Sequence, residues 1–162
     1  MNDKSADPGL RQRILDAVDA RAEQIVDFTR QLLRIPTENR PPTGDERRGQ
    51  EFLRPALADL GLETDLFQPD EVPGLFEHPA YHPTGSSPVR HEYADRPNLV
   101  GRWRGRGNGR SLILAAHMDV VSPGNPGAWT HDPWWAELDE AGRIYARGAV
   151  DDKGPLAAMV MA

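Results

Sequence analysis

Leu112-Ile113-Leu114-Ala115-Ala116-His117-Met118-Asp119 is an apolar run that passes directly into a histidine and, two positions later, an aspartate. A short continuous apolar run of this kind is expected to form a fully buried strand. The residue after a central strand lies at its carboxyl end, where ligands of open α/β sheets collect, so His117 is the first candidate for chemistry. A lone histidine after an apolar run also fits a purely structural role, and it is the neighbours that single this one out. Residues i and i+2 of an extended chain point the same way. The Asp119 carboxylate can therefore take the other imidazole N–H and fix the tautomer that offers a lone pair to a metal.

Upstream, Asn98 to Arg104 reads as a strand and Gly105 to Gly109 as a turn, so that 98–104 and 112–116 are expected to form a hairpin. The glycine-arginine turn is a poor dinucleotide fingerprint: Arg110 stands where a third glycine is needed, and a strand follows instead of a helix. It is no better as an RNA-binding patch. Downstream come a loop with Pro123, Gly124, Pro126 and Gly127, a strand near Trp135 to Leu138, a turn at Asp139 to Gly142, and a strand over Arg143 to Ala146.

The second chemical stretch is Gly148-Ala149-Val150-Asp151-Asp152-Lys153-Gly154, a strand running through a glycine turn into a helix. Two adjacent carboxylates repel unless a cation neutralises them, and a helix amino-terminus adds partial positive charge. The alternative is an Asp-Asp helix cap with Lys153 as counter-charge. His117-Met118-Asp119 elsewhere in the chain favours a metal, with Asp151 as its second candidate ligand. Pro155 to Ala162 reads as the first two turns of a buried helix with Pro155 near its first position, and a chain ending inside an element is expected to be a truncated one.

Toward the amino-terminus, Leu10, Ile14, Val18, Ile25, Phe28 and Leu32 predict one long amphipathic helix from Pro8 to Ile35, capped by Asp7 and stopped by Pro36. A proline-containing loop over 37–44 leads to a second helix, Asp45 to Leu60, ending at Gly61 and kinked or restarted at Pro55. Leu62 to Phe67 has the near-alternation of a half-buried strand. Residues 68–98 hold many prolines and three of the five histidines, without periodicity. This is expected to be a surface loop serving as a rim or lid, with His78, His82 and His91 solvent-exposed rather than gathered on a metal. Helices alternating with strands point to an α/β sandwich.

Composition agrees with a folded enzyme. At 162 residues, with 38% hydrophobic and 27% charged, one domain with a real core is expected. A net charge of −6 argues against a phosphate-backbone binder, so nucleic acid is an unexpected partner. With no cysteine, any metal must be held by His, Asp and Glu. The first residues show no basic-then-apolar leader, and no run approaches the roughly 20 apolar residues of a membrane span. A cytoplasmic protein without membrane contact is the default.

Four ordered blocks carry a resemblance: Arg96-Pro-Asn-Leu-Val-Gly101, Leu114-Ala-Ala-His-Met-Asp-Val-Val121, Trp129-Thr-His-Asp-Pro133 and Gly142-Arg-Ile-Tyr-Ala-Arg-Gly-Ala-Val-Asp-Asp-Lys-Gly154. Together they resemble the co-catalytic zinc hydrolases that include acetylornithine deacetylase, succinyl-diaminopimelate desuccinylase, aminoacylase and carboxypeptidase G. The resemblance implies the amino-terminal part of a three-layer α/β sandwich catalytic domain, with residues 1–162 a partial metal-binding domain and a separate lid domain, often used for homodimerisation, outside it. It implies two Zn2+ ions per complete site, with Co2+ or Mn2+ as alternatives: His117 binding one, Asp119 orienting it as a catalytic residue, Asp151 bridging both, and Asp152 adjacent to the site. The substrate would be an N-acyl amino acid or small peptide cleaved at an amide bond. Two metals roughly 3.5–4 Å apart can share a bridging carboxylate and activate a water against that amide.

Small departures are Ala146, where many members have glycine, and Trp134, where phenylalanine is usual. The family's general base, a glutamate of a Glu-Glu pair, its later acidic ligand and its final histidine match no residue here, so the chain by itself is expected to be inactive. Two other readings compete. One is a non-catalytic binding or regulatory remnant; the other is an unrelated fold that uses Asp151 and Asp152 for magnesium and phosphate chemistry, which lacks a phosphate loop.

Overall fold

The computed structural model describes residues 8–83 and 88–162; Asp7, expected as a cap, and the first residues, expected to form no leader, lie outside the described residues. The predicted long helix is two helices, α1 (Pro8–Asp19) and α2 (Ala22–Leu33). The apolar stripe lapses between Val18 and Ile25, and there the chain tightens: Ala20 N–H still reaches the Asp16 carbonyl, but Arg21 N–H closes a shorter turn onto Val18. The apolar side chains of α1 stay largely exposed, while α2 buries Leu32 and Leu33 completely.

Residues 39–40 and 43–44 form a small ladder, β1 (Asn39–Arg40) with β2 (Thr43–Gly44). Helix α3 (Arg47–Asp59) comes next and runs through Pro55 without restarting. It ends as glycine dictates: Gly61 takes φ +81°, Gly61 N–H bonds the Ala58 carbonyl, and Leu62 N–H bonds Leu57. This is the paired closure of a Schellman motif. Strand β3 (Glu63–Phe67) then pairs antiparallel with β4 (Asn98–Arg102), from Glu63 opposite Arg102 to Phe67 opposite Asn98.

That pairing corrects the expected hairpin. Strand β4 joins the earlier β3, which α3 packs against, and not 112–116, so the Gly105–Gly109 segment closes no ladder. Residues 112–116 are extended but belong to no sheet, and they are not buried: Ile113 is 87% exposed and Leu112 81%. An apolar run is buried as a strand only when neighbours cover both its edges and faces, and among the described residues no strand lies beside this one.

Strands β5 (Glu137–Leu138) and β6 (Ile144–Tyr145) form the predicted hairpin around the Asp139 turn. One carboxylate organises that turn. Asp139 Oδ1 accepts from the Ala141 and Arg143 amides, and Oδ2 accepts from Arg143 Nε and the Tyr145 hydroxyl. These donors hold the Asp139 carboxyl down at about 2, the Arg143 amide foremost. The described residues of 68–97 are mainly turns and bends on the surface, with one short 3-10 turn at Pro69–Glu71. They are tied back by Arg96, whose Nη2 meets Glu46 Oε1 at 2.6 Å in a largely buried ion pair.

Helix α4 (Lys153–Met161) packs against α2. The core gathers Leu32 of α2, Leu53 of α3, Met118 and the Leu156, Ala157 and Val160 face of α4. Each such large side chain contributes roughly 1.5–3 kcal/mol on burial. Met118 links this core to the candidate ligands, because it is 3% exposed while the residues on either side of it are much more open. The architecture is thus α/β, with helices and three two-stranded antiparallel sheets among the described residues.

Candidate metal centre

The extended stretch around Met118 is held in place by the loop after α2. Thr37 Oγ1 donates to the Met118 carbonyl at 2.6 Å. Val120 N–H donates to the Thr37 carbonyl at 2.9 Å, and Asn39 N–H to the Val120 carbonyl at 2.8 Å, giving a parallel bridge between Glu38 and Val120. With Met118 turned into the core, alternation turns His117 and Asp119 the other way.

Asp151 reaches this place through a tight turn. Gly148 has φ +83°, and a Cβ there would meet Val120 Cγ1 at 2.6 Å, so only glycine lets the turn close against the 118–120 stretch. Lys153 N–H then bonds the Gly148 carbonyl at 3.0 Å as α4 begins. The Lys153 side chain is fully buried. Its Nζ donates to the Ile35 carbonyl at 2.6 Å and the Leu32 carbonyl at 3.4 Å, which anchors the start of α4 to the end of α2. Burial lowers its pKa to about 8. Its hydrogen bonds go to these carbonyls, so the alternative role as counter-charge to the Asp pair has no support in the contacts.

These constraints bring His117 and Asp151 together, with His117 Nε2 2.8 Å from Asp151 Oδ1. On the other side, Nδ1 lies 2.8 Å from the Asp119 backbone carbonyl and 3.4 Å from the Asp119 carboxylate. The orienting contact is thus made chiefly by the main chain. The Asp119 carboxylate accepts instead from Asn39 Nδ2 at 3.0 Å. Asp152 turns away from Asp151, and its Oδ2 accepts from the His117 amide at 3.2 Å. The Asp151–Asp152 peptide is cis.

A carbonyl can only accept, so Nδ1 must carry a hydrogen. In the neutral ring Nε2 then holds a lone pair, aimed at an anionic carboxylate oxygen. Two acceptors at that separation need a proton or a metal cation between them. A proton there is favoured: burial alone would lower the His117 pKa, but the Asp119 carbonyl and Asp151 outweigh it and the net shift is upward. Imidazole and carboxylate are also the donor types that a divalent cation takes, though at zinc's bond lengths of about 2.0–2.2 Å the two would stand farther apart than they do here. Among the described residues, however, no cluster of three or more His, Cys, Asp or Glu is arranged around one point. His78 and His82 are exposed on the 68–97 surface, and His91 contacts Arg96.

The pair lines an open cleft of about 410 Å3 together with Trp129, His131, Tyr145 and Arg147. His131 stacks on Tyr145, ring centroids 3.9 Å apart, and its Nδ1 lies 3.0 Å from Glu137. Thr37 and Asn39 are neighbours of the pair that residue patterns do not single out, because each acquires its partner only through the tertiary fold; Arg147 lies in the Gly142–Gly154 block. Trp129 and His131 lie in one of the resembling blocks, which was the available signal.

One imidazole, that of His117, and two carboxylates, those of Asp119 and Asp151, line the same cleft. Residues 113–162 match the model of peptidase family M20/M25/M40. The chain is also 36% identical over 141 residues to a succinyl-diaminopimelate desuccinylase of Methylocella silvestris, an alignment covering 87% of this chain and 30% of that protein. Residues 113–162 thus belong to the M20/M25/M40 family, and the chain spans about 30% of the length of this curated relative.

Proposed function

We propose that the protein is a zinc-dependent hydrolase that cleaves an amide bond of an N-acyl amino acid or small peptide, in the manner of a deacetylase or desuccinylase. The carrying observation is His117 Nε2 facing Asp151 Oδ1 with no donor of its own in the neutral ring. His117 and Asp151 would hold zinc, Asp151 as the bridge of a two-zinc site, while Asp119 fixes the imidazole. When bound, the metal supplies Lewis acidity toward a carbonyl oxygen and lowers the pKa of a water. The chain's own contribution is to hold the ring in one tautomer, to keep the Asp151 carboxylate beside it, and to keep Asp152 occupied with the His117 amide.

Residues 1–162 are proposed as part of the catalytic domain of a three-layer sandwich, with a lid and dimerisation domain outside them. A cytoplasmic, homodimeric whole protein without nucleic-acid or membrane partners is the companion proposal. Among the described residues no helix is long and apolar enough to cross a membrane. The 162 residues alone are proposed to be inactive, because two facing ligands hold a catalytic zinc weakly and no residue here matches the family's general base.

The test is zinc titration of the protein beside His117→Ala and Asp151→Asn. Both variants should lose zinc affinity by at least about tenfold. Undiminished affinity in both would sink the assignment, and a native circular dichroism spectrum in each variant separates ligand loss from unfolding.

A further inference from the structure

We propose that Arg147 is a specificity-determining residue that takes a carboxylate of the substrate, in the cleft that His117 and Asp151 also line. The proposal rests on the amide-hydrolase reading for the nature of the cleft, and it adds the charge of the molecule that the cleft selects. Arg147 lines this cleft together with both candidate ligands. Its guanidinium lies 5.1 Å above the Trp129 ring, and its buried Nε has no hydrogen-bond partner among the described residues.

Other arginines of the chain have found acceptors: Arg143 with Asp139, Arg104 with Glu63, Arg96 with Glu46 and Arg47 with Asp95. Arg147 has an aromatic face beneath it instead, and no carboxylate within ion-pair distance among the described residues. A buried N–H left without an acceptor is costly, and a guanidinium is the most demanding case because it presents its donors in a fixed fork. Stacking on Trp129 occupies the face of that fork, and because Nε is itself buried, the Nη1–Nη2 end is the part left to take a carboxylate through two parallel hydrogen bonds.

The position is also rigid. Arg147 N–H donates to the Pro133 carbonyl at 2.8 Å, and the residue closely follows the β5–β6 hairpin. The nearby cation candidate, His131, is already engaged by Glu137. The cleft therefore carries carboxylates beside His117 and, in Arg147, a cation with no ion-pair partner among the described residues. An N-acyl amino acid matches that division, with its amide at one end and its carboxylate at the other, whereas an N-acyl amine lacks the second group.

The experiment is a nitrogen-edited NMR titration of the zinc-free protein with N-acetylglycine and, separately, with its uncharged amide. The acid should shift the Arg147 Nε–H and Trp129 indole resonances saturably, and the amide should not. Arg147→Ala should weaken acid binding by about tenfold or more, while Arg147→Lys should keep a weaker preference for acid over amide. Equal binding of acid and amide by the unmodified protein, or an unmoved Nε–H resonance, would overturn the proposal even if the alanine variant fails to fold. The zinc titration is an independent readout: loss of the zinc assignment with an acid-selective Arg147 shift would leave this inference standing, and the reverse result would remove only this inference.

Discussion

Asn39 Nδ2 donates to the Asp119 carboxylate at 3.0 Å, across 80 residues of sequence. This contact draws the carboxylate toward the loop after α2 and leaves the Asp119 carbonyl as the nearer partner of the imidazole. Outer partners of this kind are worth roughly 10–100-fold in metal affinity. Asn39→Ala is expected to weaken zinc binding within that range, read by chelator competition. Asn39→Asp should be worse, because it sets a second carboxylate against Asp119.

Lys153 gives a pH dependence of defined sign. Burial lowers its pKa from 10.5 to about 8, so between those values the unfolded chain holds a proton that the folded chain has released. Stability owed to this residue therefore rises with pH across that window, by about 3 kcal/mol over its full extent. Urea unfolding of the protein and Lys153→Met at about pH 8 and about pH 10.5 should show the protein gaining on the variant. A constant difference between them would contradict the buried ammonium.

Gly49 lies where α3 crosses the site. A Cβ there would meet Met118 Cγ at 2.8 Å and Thr37 Cγ2 at 2.9 Å. Gly49→Ala is expected to cost about 1–3 kcal/mol by overpacking. It should also weaken zinc binding, since the displaced residue is the one that aims His117. Gly105→Ala, where a Cβ meets nothing within 4 Å, is the matched control and should change neither quantity.

Ile113 is 87% exposed and outside any sheet. Ile113→Lys should leave unfolding free energy within about 0.5 kcal/mol. It should also reduce self-association measured by sedimentation velocity, because a charge on an open apolar edge discourages strand pairing between chains. A large loss of stability would mean that this segment is packed after all.

Local chemistry was readable wherever one segment contained its own cause. The glycine stop of α3, the Asp139 turn between β5 and β6, and the glycine turn before α4 all depend on residues within a few positions. The break between α1 and α2 was missed because seven-residue spacing from Val18 to Ile25 is compatible with helix periodicity while leaving a gap in packing. The partner of β4 was missed for a deeper reason: hydrophobic pattern predicts that a strand wants a neighbour and is silent on which one. At the candidate site, His117 and Asp151 were legible from residue type and setting, and they do face each other. Asn39 and Thr37 were not, since an asparagine and a threonine in a proline-containing loop carry no mark of a contact about 80 residues away.

The Lys153 contact with the Ile35 carbonyl spans 118 residues, and the His117–Asp151 pairing spans 34. During synthesis, an emerging chain exposes the apolar 112–116 run and His117 well before it has Asp151 or the lysine that docks α4. Closing such distant contacts costs chain entropy that local helices and hairpins do not face. The imidazole–carboxylate pair should therefore be among the last features to form on the ribosome. A nascent chain stalled short of Asp151 would present the 112–116 run to chaperones with the histidine beside it held on its Nδ1 side alone.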